Sequence, residues 1–147
     1  MPVNTIDVRC APDAVFAVLS DPESYGHWVV GAADIRDADP GWPAPGTKFH
    51  HTQGIRGVGL KDTTSAVEVD PPRRIVLEVR ARPLLIAEVA IAIAPNGNGG
   101  GTRVTMTERP LSGLIARIYN RAIDRLVAVR NDVSLRRLKE LCERRSA

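Results

Sequence analysis

The chain has 147 residues, 44% apolar and 25% charged, a balance that fits one globular domain around one core and argues against a disordered or low-complexity chain. Its formal net charge of +3 is too small an excess to imply a polyanionic partner by itself. No apolar run reaches the roughly 18 residues needed to span a bilayer, and the opening MPVNTIDVRC lacks the basic and apolar regions of a secretion signal, so a cytoplasmic location is expected.

Val3 to Arg9 alternates loosely and reads as a first strand. Ala11-Pro12-Asp13 opens a short helix, since proline suits the first helical turn and an early aspartate suits its positive end. Val15, Phe16, Val18 and Leu19 give that helix a buried face. Ser20-Asp21-Pro22-Glu23 restarts a second short helix that ends near Trp28. A short strand around Ile35 leads into the turn-rich stretch Asp39 to Gly46. Thr47 to Thr52 is the next strand. Glycines 54, 57 and 59 loosen the chain before a strand from Thr63 to Val69. After the Asp70-Pro71-Pro72 turn, Ile75 to Ala81 places Ile75, Leu77 and Val79 on one face. Pro83 breaks the pattern and Leu85 to Ile93 resumes it. Asn96 to Gly101 is a hairpin loop, and Thr102 to Arg109 is the last strand, ended by Pro110.

From about Leu111 to about Arg145 the spacing predicts one uninterrupted helix, with Ser112 as its N-cap. Ile115, Ile118, Tyr119, Ala122, Leu126, Val129 and Val133 form the apolar stripe expected to lie on the sheet. Leu135, Leu138, Leu141 and Cys142 fall off that phase, which suggests a bend or a changed packing partner near the C-terminus. The order is β-α-α-β-β-β-β-β-β-α. Such a strand set must bury one face, and a curved sheet closed by a long helix leaves a hollow suited to a ligand.

Alternation identifies the side chains expected to line that hollow: Phe49 and His51, Leu77 and Val79, Val89 and Ile91, Met106 and Glu108, with Ile115, Tyr119 and Ala122 from the helix. Thr63 and Ser65 join this face if the glycines leave the register unshifted. With only 4% aromatic residues, the walls are expected to be mainly aliphatic. His51 and Glu108 are the candidate catalytic pair, an imidazole and a carboxyl at the polar end of an apolar cavity, able to serve as base and acid. The favoured reading of the pair, however, is a strand-end histidine bonded to its neighbours and a solvated rim carboxylate. His50 has the opposite alternation and is expected to be exposed. The His50-His51 doublet is a poor metal signal because strand neighbours face opposite sides. Cys10 and Cys142 lie far apart, with no CxxC or Cys/His spacing, so no metal site is expected and both thiols are expected to be reduced. Trp28 is expected in the core, Tyr25 or His27 at the ligand or the rim, and Trp42 either on a lid or as a loop anchor. No nucleophile elbow, phosphate-binding loop or dinucleotide fingerprint is present.

Four stretches resemble the START-like helix-grip superfamily (SRPBCC), in its polyketide cyclase/dehydrase and lipid-transport branch. They are Ala11 to Phe16 running on to Asp21 through Trp28, Val67 to Arg74, Gly100 to Met106, and Asn131 through Lys139. The resemblance covers nearly the whole length as a single domain. It implies an α+β helix-grip fold: a curved antiparallel sheet of about seven strands wrapped around the long C-terminal helix, with two short helices after the first strand. It also implies a lipid- or polyketide-like ligand and no cofactor, and it carries over no catalytic motif. The primary expectation is a domain that binds a hydrophobic or amphipathic small molecule. The alternative is a cyclase or dehydratase using His51 and Glu108. A third is an interaction protein acting through its basic terminal helix, which carries Arg117, Arg121, Arg125, Arg130, Arg136 and Arg137. For that helix, peripheral contact with a membrane is conceivable. Nucleic-acid binding is not expected, because exposed aromatics are not interleaved with the basic residues.

Overall fold

The computed structural model describes residues 2–55 and 58–146. Strand β1 (Val3–Val8) leads into α1 (Pro12–Leu19), a 3-10 turn (Pro22–Ser24) and α2 (Tyr25–Trp28). Strands β2 (Ala32–Arg36), β3 (Lys48–Ile55), β4 (Val58–Asp70), β5 (Arg74–Ala81), β6 (Leu85–Pro95) and β7 (Thr102–Ser112) follow, then α3 (Leu114–Arg117) and α4 (Arg121–Arg145). The strands form one antiparallel sheet in the order β1-β7-β6-β5-β4-β3-β2. This is the helix-grip architecture: the sheet curls, and α4 lies across its concave side.

The helix is fastened to both edges of the curl. On one side the Asn4 amide donates to the Ala128 carbonyl at 2.8 Å, and the Arg9 N–H donates to Glu143 Oε2 at 2.9 Å. On the other, Ser134 Oγ accepts from the Val30 N–H and Arg130 Nε donates to the Val30 carbonyl, each at 3.0 Å. These bonds join β1 and the α2–β2 segment to the same rod. The core beneath combines Val15, Val18 and Leu19 of α1 with Ile75, Ile91, Ile93 and Val104 of the sheet, and with Leu135, Leu138 and Cys142 of α4. Cys10 and Cys142 are free buried thiols, and burial, with Cys10 nearby, pushes Cys142 up to about 12.

Several expectations need correction. The terminal helix does not begin at Ser112. Pro110 does not end the last strand either, since Pro110 pairs with Ala87 and Ser112 with Ile86. Gly113 then turns the chain at φ 104, where a Cβ would stand 2.6 Å from the Leu84 carbonyl oxygen. Only glycine fits that close approach. The α3 turn is separated from α4, whose N-cap is Asn120. Its extended backbone and side-chain oxygen, accepting from the Ile123 N–H at 3.0 Å, start the helix afresh.

The buried face of α4 also differs from the expected stripe. It is formed by Asn131, Ser134, Leu135, Leu138, Leu141 and Cys142, four of which, Leu135, Leu138, Leu141 and Cys142, are the residues that fall off the predicted phase. Ile118, Leu126 and Val129 are instead 65%, 70% and 63% exposed, and Ala122 is exposed too. The first half of α4 is apolar on its outer side, so a count of apolar spacing selects the wrong face.

In β4, Asp62, Thr64 and Ala66 point inward, not Thr63 and Ser65. The pairing with β5 shifts between Ala66 and Glu68, leaving Val67 as a bulge. An extra residue there reverses the alternation, so counting back from inward-facing Val69 gives the wrong side. Strand β4 starts earlier than Thr63, and Gly57, one of the glycines expected to loosen this region, lies outside the described residues.

Candidate functional site

Between the concave face and α4 lies a cavity of about 360 Å³, within the range of small-molecule sites, roughly 300–1,000 Å³. Phe49 and His51 of β3, Leu77 and Val79 of β5, Val89 of β6, and Met106 and Glu108 of β7 face it, together with Ile115 of α3. Alternation brings these strand residues to one side because each sits an even number of steps from its inward neighbours. Three expected residues lie elsewhere. Ile91 is fully buried in the core without bordering the cavity. Tyr119 donates its hydroxyl to Asp124 at 2.8 Å, and burial together with that carboxylate lifts it to about 12. Ala122 faces outward because α4 is rotated relative to the predicted phase.

Sequence reasoning missed much of the other wall. Arg130, Asn131 and Ser134 reach the cavity from α4, Trp28 from α2 and Thr64 from β4, while Tyr25 of α2 borders it as one of the two residues expected there. Asn131 and Ser134 were legible as polar residues one turn apart in a helix that otherwise buries leucines, but only with the correct phase. The border toward solvent runs through Gly31, Ala81, Leu84 and Leu85, of which Gly31 and Leu84 are exposed.

The walls are mainly aliphatic, as expected, but one end is aromatic. Tyr25 lies 5.1 Å from Trp28, 5.9 Å from Trp42 and 5.0 Å from Phe49, centroid to centroid. Trp42 meets Phe49 at 4.7 Å, and Phe49 meets the His51 ring at 5.9 Å. The scarce aromatic residues are concentrated here, and edge-on geometry favours such a cluster. Tyr25 Oη and Trp42 Nε1 both donate to the Leu19 carbonyl, at 2.8 and 3.1 Å. Trp42 is thereby a buried anchor for its loop, not a lid. His27 is exposed beside Leu141 and Arg144, away from the cavity.

The polar groups of the cavity are unusually poor in partners. Both ring nitrogens of His51, Trp28 Nε1 and Asn131 Nδ2 are buried without a well-aligned hydrogen bond, and an unmatched buried polar group costs on the order of 1–3 kcal/mol. Burial pushes the His51 pKa below its ordinary value, against smaller upward pulls from the Thr63 backbone and Asp62. Burial pushes Glu108 up, against Arg130 and the Asn131 amide. Arg130 Nη1 is 3.8 Å from Glu108 Oε1, too far for a strong charge-assisted bond. His51 and Glu108 therefore both border the cavity, from strands four places apart in the sheet. About four strand spacings of roughly 4.8 Å separate them along the sheet. They are not a hydrogen-bonded dyad. His50 is half-buried on the other side of the sheet, not exposed. Among the described residues no cluster of His, Cys, Asp and Glu could hold a metal ion, and no helix is long and apolar enough to cross a membrane.

Comparison with known proteins agrees with this geometry. The Zhui aromatase/cyclase from Streptomyces sp. R1128 superposes with a TM-score of 0.77 at 16% identity, covering 99% of this chain and 94% of that one. Protein NE0264 from Nitrosomonas europaea gives 0.73 at 18% identity over 98% and 94%. CalU16 from Micromonospora echinospora gives 0.63 at 16% over 95% and 74%. At these identities the likeness shows the fold alone. No curated protein matches the sequence. The family model described as polyketide cyclase/dehydrase and lipid transport matches residues 3–143. With nearly the whole chain matched and its helix-grip fold in place, this protein belongs to the polyketide cyclase/dehydrase and lipid-transport family.

Proposed function

We propose that the domain binds a hydrophobic or amphipathic small molecule, lipid- or polyketide-like, in the cavity between sheet and α4. The observation that carries this reading is the composition of the walls. Leu77, Val79, Ala87, Val89 and Met106 supply apolar surface, while His51, Trp28 and Asn131 bring buried polar atoms without a well-aligned hydrogen bond. Burial of ligand surface would drive binding, at roughly 25 cal/mol per Å² before ordering costs. The unmatched groups would select a ligand carrying a hydroxyl or carbonyl oxygen over a bare hydrocarbon. Mass spectrometry of organic extracts from the purified protein tests the reading. A stoichiometric apolar compound supports it. It fails if no compound is retained and a panel of fatty acids and polycyclic aromatic alcohols leaves the melting temperature unchanged.

A second reading, a cyclase or dehydratase, is favoured by one observation: burial moves the two candidate groups in opposite directions. His51 stays neutral to lower pH and can accept a proton, while Glu108 stays protonated to higher pH and can give one. Carried by strands four places apart, they would act on separate positions of one substrate. His51→Ala and Glu108→Gln distinguish the readings: turnover lost with binding kept is the signature of the enzyme.

A further inference from the structure

The outer side of the α3–α4 region carries apolar side chains that the fold does not cover. Leu111 is 43% exposed, Leu114 51%, Ile118 65%, Leu126 70% and Val129 63%. Leu84, 40% exposed, continues them to the cavity border. Leu84 and α3 are joined directly, the Ile115 N–H donating to the Leu84 carbonyl at 2.8 Å. On α4, Arg121, Arg125 and Val129 form one i, i+4 row, with Ala122 and Leu126 in the adjacent row. The Ala122–Leu126 row lies opposite the face that carries Leu135 and Leu138, and the Arg121–Val129 row flanks it. Arg117, Arg121 and Arg125 are exposed, and none has an ion-pair partner among the described residues. The nearby carboxylates are otherwise engaged: Asp124 accepts from Tyr119, and Asp132 pairs with Arg136 at 2.6 Å.

We propose that this face docks onto anionic lipid bilayers. Leu114, Ile118, Leu126 and Val129 enter the boundary between headgroups and acyl chains, and Arg117, Arg121 and Arg125 meet lipid phosphates. Charge selects the occupant. A second copy of the chain would set three uncompensated arginines against three more, whereas an anionic bilayer neutralises all of them. Contact on this side would also bring the cavity border at Leu84 to the bilayer. The proposal goes beyond the small-molecule reading and does not depend on it.

The test is co-sedimentation of the full 147-residue chain with phosphatidylcholine vesicles, with and without phosphatidylglycerol, at low and high salt. The expected result is binding to the anionic vesicles alone, weakened by salt. Both Leu126→Asp/Val129→Asp and Arg117→Ser/Arg121→Ser/Arg125→Ser should reduce it by about tenfold or more. These exposed positions leave the core untouched, so unchanged melting curves accompany the loss. The proposal is overturned by no binding to anionic vesicles at low salt, or by binding that both variants retain. Sedimentation showing a dimer that Leu126→Asp/Val129→Asp converts to a monomer also overturns it, because a second copy then covers the face.

Discussion

Leu138 and Leu126 sit on the same helix twelve residues apart, and the structure assigns them opposite roles. Leu138 is fully buried among the core side chains, and Leu126 is 70% exposed. Leu138→Ala removes the transfer energy of the lost methyl groups and leaves a cavity that the sheet and α1 cannot fully close, so the expected loss is about 3 kcal/mol. For a domain of this size, that lowers the melting temperature by roughly 10 °C. Leu126→Ala removes atoms already in water and substitutes a better helix former, so its effect should stay within about 0.5 kcal/mol. Urea unfolding followed by circular dichroism measures both. The two variants should share the wild-type slope and differ in midpoint. If Leu126→Ala costs as much as Leu138→Ala, α4 is rotated from the position described, and the cavity wall of Arg130, Asn131 and Ser134 falls with it.

Three further outcomes follow from local geometry. Gly113→Ala forces a side chain into a left-handed backbone position and against the Leu84 carbonyl, so it should cost about 2 kcal/mol or more by thermal melting. Asp62 is buried, which alone would raise its pKa, but hydrogen bonds from the Arg82 side chain and backbone and from the Thr63 N–H bring it down to about 2. Its contribution is therefore present above the unfolded value near 3.8 and lost as pH falls from there toward 2. Asp62→Asn should cost about 1–2 kcal/mol at neutral pH, discounted for the exposed Arg82, with the difference from wild type vanishing in acid denaturation curves near the bottom of that range. Glu108 has the opposite sign. Its folded pKa lies above 4.5, so the native state holds the proton longer, and wild-type stability falls as pH rises from 4.5 through the folded value. Glu108→Gln should remove that decline, which paired pH–stability profiles would reveal.

The strand half of the fold was readable because period-two alternation with Pro and Gly punctuation leaves few alternatives. Ile75, Leu77 and Val79, and likewise Val104, Met106 and Glu108, face inward as alternation requires. Where alternation was interrupted, the reading failed. The bulge at Val67 adds one residue and turns Thr64, not Thr63 or Ser65, toward the cavity. The helix failed for a different reason. Its first half is apolar on two sides, so periodicity has two solutions, and the chosen one followed Leu126 and Val129. The signal for the true start was present in Asn120, a strong N-cap residue, and in Gly113, which no continuous helix would favour. The site inherits these errors. Most residues placed by strands, such as Phe49, His51 and Glu108, border the cavity, while of the three placed by the helix only Ile115 does, and Tyr119 and Ala122 do not. The gathering of Tyr25, Trp28, Trp42 and Phe49 at one end was invisible because it joins residues from α2, a loop and β3.

The most direct test fills the hollow. Ala87 is buried on β6 and borders the cavity, so Ala87→Trp would place an indole in the space proposed for ligand. Isothermal titration of 2-naphthol, a neutral ring system bearing one hydroxyl, into both proteins reports the outcome. The account predicts saturable one-to-one binding to the wild type and none to the variant, with the variant still unfolding cooperatively. Equal binding to both, or no binding of the probe or of any fatty acid by the wild type, would contradict it.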